Sequence, residues 1–585
     1  MSGLNTQQKQ AVTAPEGPAL IVAGPGTGKT KTLTTRIAYV LEVLGADPSE
    51  IVALTFTNKA AREMNTRLRT LVGLHAPLPK VTTFHALGHA LLQANDHTPY
   101  TLISEPERMQ LIRGLSKPAT FKGMHTRELS LLISRTKTTQ GVVPDTSLQE
   151  LTTRYEKAMT EHGWRDFDDL LCQAYQLLEC DETLRPQYKY IFIDEFQDTN
   201  ELQYAFLRLL GTGDGLFAIG DPNQSIYAFR GADGDMFRRF QADFPHARVI
   251  ELSVNYRSKP EIVAVGNALF PEAPQLQAWQ TEPGVVRTVR TLNEYSEAAY
   301  IVSAVTQGIG GSDMLSAADG GNHQPRDYAV VYRTHRIGKI VERALAESGI
   351  PYQVAGEGSP YERPDIAAVI GVLRYMQQPD KFGREKLAAL AVLQTFRQTQ
   401  LTALLAELPD PEGMAVCEIA LQIAAIFSLG QGSGLQDLQQ FFGTLVQFGK
   451  DLGACLAYID KLAETEFYDP NVNAVTLLTI HASKGLEFMH VFVCAVEEGV
   501  IPKLVKDKDD TIEEERRLLY VAATRAQECL EILYATTRMG TPATMSRFIG
   551  ELPEAVLPRT TDPQMVTLER RLKKRLQKRA QESLF

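Results

Sequence analysis

Eight residues near the start of the chain, Ala23-Gly-Pro-Gly-Thr-Gly-Lys-Thr30, follow the apolar run Ala19-Leu-Ile-Val22. Gly24, Gly26 and Gly28, with Pro25 and Thr27 between them, let the backbone fold so that its N–H groups face phosphate oxygens. The helix expected next adds its positive N-terminal end. Lys29 can reach the β- and γ-phosphates of a nucleotide, and the Thr30 hydroxyl suits Mg²⁺. A plain glycine turn is the competing reading, and Lys-Thr directly after a strand argues against it. Far downstream, Tyr190-Ile-Phe-Ile193 ends in two adjacent acids. Asp194 is placed to hold Mg²⁺ through water, and Glu195 to orient and deprotonate an attacking water. A third apolar run leads into Ile219-Gly-Asp-Pro-Asn-Gln-Ser-Ile-Tyr-Ala-Phe-Arg-Gly231. Its Gln224 can bond both a γ-phosphate and a water. Tyr227, Phe229 and Arg230 put two rings and a cation in one short segment, and bases stack on such rings for about 1–3 kcal/mol each. The alternative for the rings is that they are core residues.

Three further segments lie in the second half: Val254-Asn-Tyr-Arg-Ser258, Thr479-Ile-His-Ala-Ser-Lys-Gly-Leu-Glu-Phe488, and Glu513-Glu-Glu-Arg-Arg-Leu-Leu-Tyr-Val-Ala-Ala-Thr-Arg-Ala526. Arg525 ends the last of these helical runs. A guanidinium brought by a second core onto a phosphate held by the first is an arginine-finger arrangement. Taken alone, such an arginine is as readily a solvated helix residue.

These residues need rigid elements to hold them. Short apolar runs at 19–22, 51–54, 190–193 and 216–219 form one group, and runs at 328–331, 475–480 and 491–495 a second. Continuous apolar strands separated by helical patterns read as parallel sheets covered on both faces, so the expected fold is α/β with two P-loop-type cores. Residues 86–187 and 377–471 read as purely helical insertions, one per core. Gly430–Gly434 reads as a flexible break and Gly308–Pro325 as a surface loop. A chain of 585 residues has room for roughly four domains. With 44% hydrophobic and 22% charged residues, bulk disorder is not expected. No apolar run approaches the ~18 residues of a membrane span, and the first ten residues lack the apolar core of a secretory signal. The six cysteines are scattered with no C-x-x-C pair, which argues against a zinc ribbon or disulfide scaffold and fits a reducing, cytoplasmic setting. The net charge of −10 weighs against nucleic acid as a partner without excluding a local basic groove.

In order and spacing these segments resemble the UvrD/Rep family of superfamily 1 DNA helicases across nearly the whole chain. Leu4-Asn-Thr-Gln-Gln8 resembles the family's Q motif, Thr55-Phe-Thr-Asn-Lys-Ala-Ala61 and Thr82-Thr-Phe-His85 its motifs Ia and Ib, and Asp327–Thr334, Tyr361–Ile366 and Ser546–Pro553 its later motifs. The resemblance implies core 1A at 1–85 and 188–255, insertion 1B at 86–187, core 2A at 256–376 and 472–556, a short insertion 2B at 377–471, and a basic tail at 557–585. It places ATP, with Mg²⁺ on Thr30 and Asp194, between 1A and 2A. It implies that Gln8 reads adenine, Arg36 joins the nucleotide site, Tyr256 stacks on the base, Arg257 binds the γ-phosphate, Glu487 touches the ribose and Arg525 is the finger. Phe56, Asn58, Thr83, His85, Tyr227, Phe229, Arg230, Arg333 and His481 would line the single-strand track. The implied activity is ATP-driven 3′→5′ movement on single-stranded DNA, acting at single/double-strand junctions in repair or replication.

The chain departs from the family in places. Phe229 stands where tryptophan is usual, and His335 where asparagine is common. The 2B-like region is short, and the family's Gly-Ile-Gly duplex loop is not in it; Gly308-Ile-Gly310 has the letters but lies elsewhere. Two other readings stay open, one subunit of a helicase–nuclease and a non-motor NTPase. The tail carries seven basic residues against two acidic ones between Glu569 and Glu582. Its end, Gln581-Glu-Ser-Leu-Phe585, resembles the peptide by which bacterial DNA enzymes dock on the replication sliding clamp, with Gln581, Leu584 and Phe585 as the anchors.

Overall fold

The computed structural model describes residues 3–562 and Met565, apart from 97, 117–119, 122–123, 140–145, 212, 228–234, 311–322, 356–362, 378–397, 410–412, 430–437, 439–440, 444, 464–467, 469, 471 and 504–510. The Gly430–Gly434 break, Phe229, Arg230 and the clamp-like ending therefore lie outside the described residues. The chain divides into two compact units, 1–351 with 479–585, and 352–478.

The first sheet of the larger unit has six strands, in the order Lys80–Thr83, Ile51–Thr55, Tyr190–Ile193, Leu216–Gly220, Ala19–Ala23, Arg248–Leu252. Every pairing is parallel. Successive side chains alternate between two cores. Ile21, Ala53 and Phe192 pack with Leu33, Ile37, Met64 and Leu68 of the helices Lys29–Glu42 and Asn58–Val72. Leu20, Val52, Leu54, Ile191 and Ile193 pack on the other face with Leu87, Leu170, Phe206 and Phe240. The central strands are apolar throughout because both faces are covered. The outer two, Lys80–Thr83 and Arg248–Leu252, carry no continuous apolar run, since an edge strand is only half covered; their sequences did not announce them.

A second parallel sheet in the same unit runs Tyr328–Tyr332, Phe488–Val493, Ala526–Ala535, Val285–Thr291, Arg559–Thr561. The last strand lies within the segment read as a polar tail from residue 557, and its backbone extends the sheet beside Thr288–Arg290. The strand Ala526–Ala535 is likewise broken by polar residues, Gln527, Glu528 and Glu531. Glu531 is buried there because Arg287 Nε donates to it at 2.9 Å and the Tyr300 hydroxyl at 2.6 Å. Gly308 is the last residue of the helix Glu294–Gly308, not part of a loop.

Among the described residues of 86–187, the elements are helices and one pairing of two-residue strands, Thr101–Leu102 with Trp164–Arg165. Ile112, Ile133, Leu151 and Tyr155 form their core. The smaller unit pairs Tyr352–Ala355 with Val475–Leu478 and buries Val369, Leu373, Ile419, Ile423 and Leu456 between its helices. Among the described residues no helix is long and apolar enough to cross a membrane, and all six cysteines are free.

Candidate nucleotide and DNA site

In a parallel α/β sheet, ligands gather at the carboxyl ends of the strands. Three such ends meet here. The strand Ala19–Ala23 runs into the glycine loop, Tyr190–Ile193 into Asp194, and Leu216–Gly220 into Asp221. Gly26 has φ 69° and Gly28 φ 82°, backbone that L side chains rarely adopt. A Cβ on Gly26 would stand 2.7 Å from the Arg257 Cβ, and one on Gly28 2.8 Å from Gln8 Nε2. Gly24 is approached as closely by Leu276. The Thr27 hydroxyl donates to the Gly24 carbonyl at 2.8 Å, and the Lys29 ammonium to the Ala23 carbonyl at 3.3 Å. Thr30 follows Lys29 in the first turn of its helix.

Gln8 is buried and does two structural jobs. Its carbonyl accepts from the Asn5 N–H at 3.1 Å, completing a capping box, and its amide donates to the Thr27 carbonyl at 2.9 Å. It thus braces the loop and keeps one N–H and one lone pair for a base. Arg36, placed by resemblance in the nucleotide site, has its guanidinium engaged within the protein. Two turns beyond Lys29, it is buried against the Thr6–Val12 helix, where it donates to the Val12 carbonyl at 2.8 Å and lies over the Tyr39 ring. It fastens helix to helix. Tyr256 does stand by the Q-like segment: Asn5 Nδ2 donates to its hydroxyl at 2.8 Å, and its ring lies 5.4 Å from that of exposed Trp279.

The acids are strongly biased. Burial raises the Asp194 carboxyl, and the charge of Glu195 raises it further. Burial acts to raise Glu195 too, but Lys29 and then Lys484 hold it below the usual range. Glu195 takes a left-handed backbone, φ 51°, and its carboxylate accepts from the Gln197 amide. The Gln197 carbonyl accepts in turn from the Asp221 N–H at 2.9 Å, and Gln224 donates to the Asp221 carboxylate at 2.8 Å. The two strand-end loops therefore form one network. The carboxyl oxygens of Asp194 and Glu195 and the hydroxyl of Thr30 are the all-oxygen donors that a hard divalent cation such as Mg²⁺ takes.

Second-core residues face this network. Arg257 Nη1 donates to the Thr524 carbonyl at 3.4 Å, and Arg257 Nε lies 2.5 Å from Glu487 Oε2. Glu487 also accepts from Gln527 at 3.1 Å. Arg525 is fully buried. Its guanidinium donates to the carbonyls of Val521 at 2.8 Å and Leu486 at 3.1 Å, and to Thr524 Oγ1 at 3.1 Å. Burial lowers its pKa, and the neighbouring Arg257 lowers it further while Glu195 opposes.

Two residues were missed in the sequence although their segments were singled out. Asn255 donates to the Pro25 carbonyl at 2.9 Å and accepts from the N–H groups of Arg257 and Ser258, so it ties the phosphate loop to the arginine. Lys484 donates to both Asp198 oxygens, at 2.6 and 2.8 Å, and to the Gln224 carbonyl at 3.0 Å, and lies 3.8 Å from Glu195. Its ammonium also lies 5.1 Å from the centroid of the Tyr227 ring.

That ring is the middle member of a short aromatic row. Phe56 stacks on Tyr227 at 5.4 Å with planes 17° apart, and His481 follows at 6.3 Å. Asn58 is exposed in the first turn of the helix that follows Phe56. The other expected contacts have local partners. The Thr83 hydroxyl caps the helix Phe84–Asn95 by accepting from the Ala86 N–H at 3.3 Å. Burial lowers the pKa of His85, against Asp168 and Asp166. Arg333 forks onto Glu515, with its closest donation at 2.8 Å.

The chain matches the UvrD/REP helicase N-terminal domain over residues 4–245 and the UvrD-like helicase C-terminal domain over 250–421 and 451–537. Its relatives include proteins named ATP-dependent DNA helicase PcrA. That of Staphylococcus epidermidis is 30% identical over 97% of this chain and 89% of its own length. That of Bacillus subtilis is 29% identical over 95% and 86%, and that of Staphylococcus aureus 29% over 98% and 89%.

Proposed function

This chain belongs to the UvrD/REP helicase family, and from that premise we propose that it is an ATP-dependent DNA helicase moving 3′→5′ on single-stranded DNA, in repair or replication. ATP lies between cores 1A (1–85, 188–255) and 2A (256–376, 472–556), with its phosphates on the 24–30 loop and its base toward Tyr256 and Gln8. Thr30 and Asp194 would hold Mg²⁺, which supplies charge neutralisation on the phosphates. Glu195 takes the proton of the attacking water, Gln224 and Arg257 orient the γ-phosphate, and Arg525 leaves its backbone partners to meet the developing charge. Single strands and single/double-strand junctions are the DNA partners, and the cytoplasm is the setting. A sliding clamp is a further partner, through Gln581, Leu584 and Phe585.

One observation carries the motor reading: Lys484 touches Glu195, Asp198, Gln224 and the Tyr227 ring at once. The general base and the aromatic row thus share one cation. A change at the DNA side has a direct physical route to the water-activating carboxylate. This favours a motor over an NTPase that only signals.

The decisive assay is ATP hydrolysis with and without single-stranded DNA, where strong stimulation is expected. Glu195→Gln should bind ATP yet hydrolyse it at least ~10²-fold more slowly, the scale of a lost general base. Near wild-type turnover by this variant would remove Glu195 from the role. Tyr227→Ala, and Phe229→Ala in the same segment, should keep basal hydrolysis while weakening single-strand binding by about 1–3 kcal/mol. Unchanged DNA affinity in both would leave the rings as packing residues.

A further inference from the structure

A second cluster of chemically active side chains lies outside this machinery. A nitrogen from each of His323 and His490 and a carboxylate oxygen of Glu528 all lie within 4.8 Å of one another. The three come from separate stretches: His323 precedes the strand Tyr328–Tyr332, His490 is in Phe488–Val493, and Glu528 in Ala526–Ala535. The imidazoles meet edge to face at 4.3 Å, and His490 stacks on Tyr328 at 4.7 Å. His323 Nδ1 and His490 Nε2 are buried and have no hydrogen-bond partner. Two orphaned imidazole nitrogens on touching rings call for an explanation, since buried polar atoms are nearly always satisfied by protein, water or an ion. Packing accounts for the stacking on Tyr328 but leaves both nitrogens unpaired.

We propose that His323, His490 and Glu528 form a binding site for a divalent transition-metal ion of the zinc class, which clips the segment before Tyr328 onto the sheet of the second core. Two imidazoles and a carboxylate are the donors such ions favour, whereas Mg²⁺ prefers all-oxygen shells, so this site does not compete for the ion at the nucleotide. Tetrahedral ligands at ~2.0–2.1 Å from a metal stand ~3.3 Å apart, so closing the present cluster asks for side-chain shifts of an ångström or so. Three protein donors leave the fourth position to water. The strands carrying His490 and Glu528 are paired neighbours, and the bulge between Phe488 and His490 lies at this point of their pairing.

The test uses the full chain, treated with a chelator, desalted and kept free of nucleotide. Titration with Co²⁺ should give the visible absorption of a four-coordinate ion at one equivalent, and Zn²⁺ should displace it. His323→Gln and Glu528→Gln, both partly exposed positions, should each weaken Co²⁺ and Zn²⁺ binding at least ~100-fold, with circular dichroism and DNA-stimulated ATPase activity unchanged. His490→Gln should do the same, and is scored only alongside these two because its strand is interior. Zn²⁺ should raise the melting temperature of the wild type but not of the variants. Absence of one-equivalent binding by the wild type overturns the site. So does equal binding by the His323→Gln/Glu528→Gln double variant, which would assign the ion to other surface groups.

Discussion

Arg525→Ala is expected to bind ATP almost as the wild type does and to hydrolyse it about 10³-fold more slowly with single-stranded DNA present, the lower range for a lost arginine finger. In the present structure the guanidinium is turned onto Val521, Leu486 and Thr524 and is 1% exposed. Reaching a γ-phosphate therefore means exchanging three hydrogen bonds for phosphate contacts, and that exchange makes hydrolysis contingent on the second core. The truncation also leaves two carbonyls without their donor. Arg525→Lys separates the two effects: it keeps a charge but cannot form the planar fork. It should melt close to the wild type and remain slow. Single-turnover hydrolysis beside an independent measure of nucleotide binding makes the check. Wild-type turnover by either variant would take Arg525 out of the chemistry.

Lys484→Met is expected to be the most destabilising single change at the site. Lys484 and Asp198 are paired at 2.6 Å with side chains 9% and 1% exposed. Removing one member of a buried pair strands the other charge and costs up to about 3–5 kcal/mol, lessened here because burial already raises the Asp198 carboxyl to about 7 and lets it take up a proton. Glu195 would also lose one of the cations that keep it ionised. The melting temperature should therefore fall by many degrees, and DNA stimulation of the ATPase should fall with it. Lys484→Met/Asp198→Asn removes the stranded charge and should recover most of the stability but not the stimulation. Thermal melts of the three proteins, followed by ATPase assays with and without single strands, distinguish these outcomes. An unchanged melt for Lys484→Met would show that the pair contributes nothing, and full stimulation in the double variant would show that it transmits nothing.

The local chemistry of this protein was legible in its sequence wherever the chain places the interacting groups next to one another. The glycine loop, Lys29 and Thr30 lie within eight residues, and their positive-φ turns follow from residue type alone. Asp194 and Glu195 were legible because a fully covered strand has to be apolar, so two acids mark its end. Strands lined with polar or half-exposed residues were not: Lys80–Thr83, Arg248–Leu252 and Ala526–Ala535 take their form from neighbours that pair with them. Arg36 shows the same limit on a helix. Resemblance placed it in the nucleotide site, but seven residues of helix set it about 10 Å along the axis from Lys29, where its partner is the Val12 carbonyl. Only the tertiary structure decided the cation at the centre of the site. Lys484 and Asp198 are 286 residues apart, and Arg257 and Thr524 are 267 apart. No periodicity spans such distances. The first contact exists because two separate sheets each bring strand ends to one cleft, where burial in a low dielectric forces charges to find partners; the second joins distant parts of the second core.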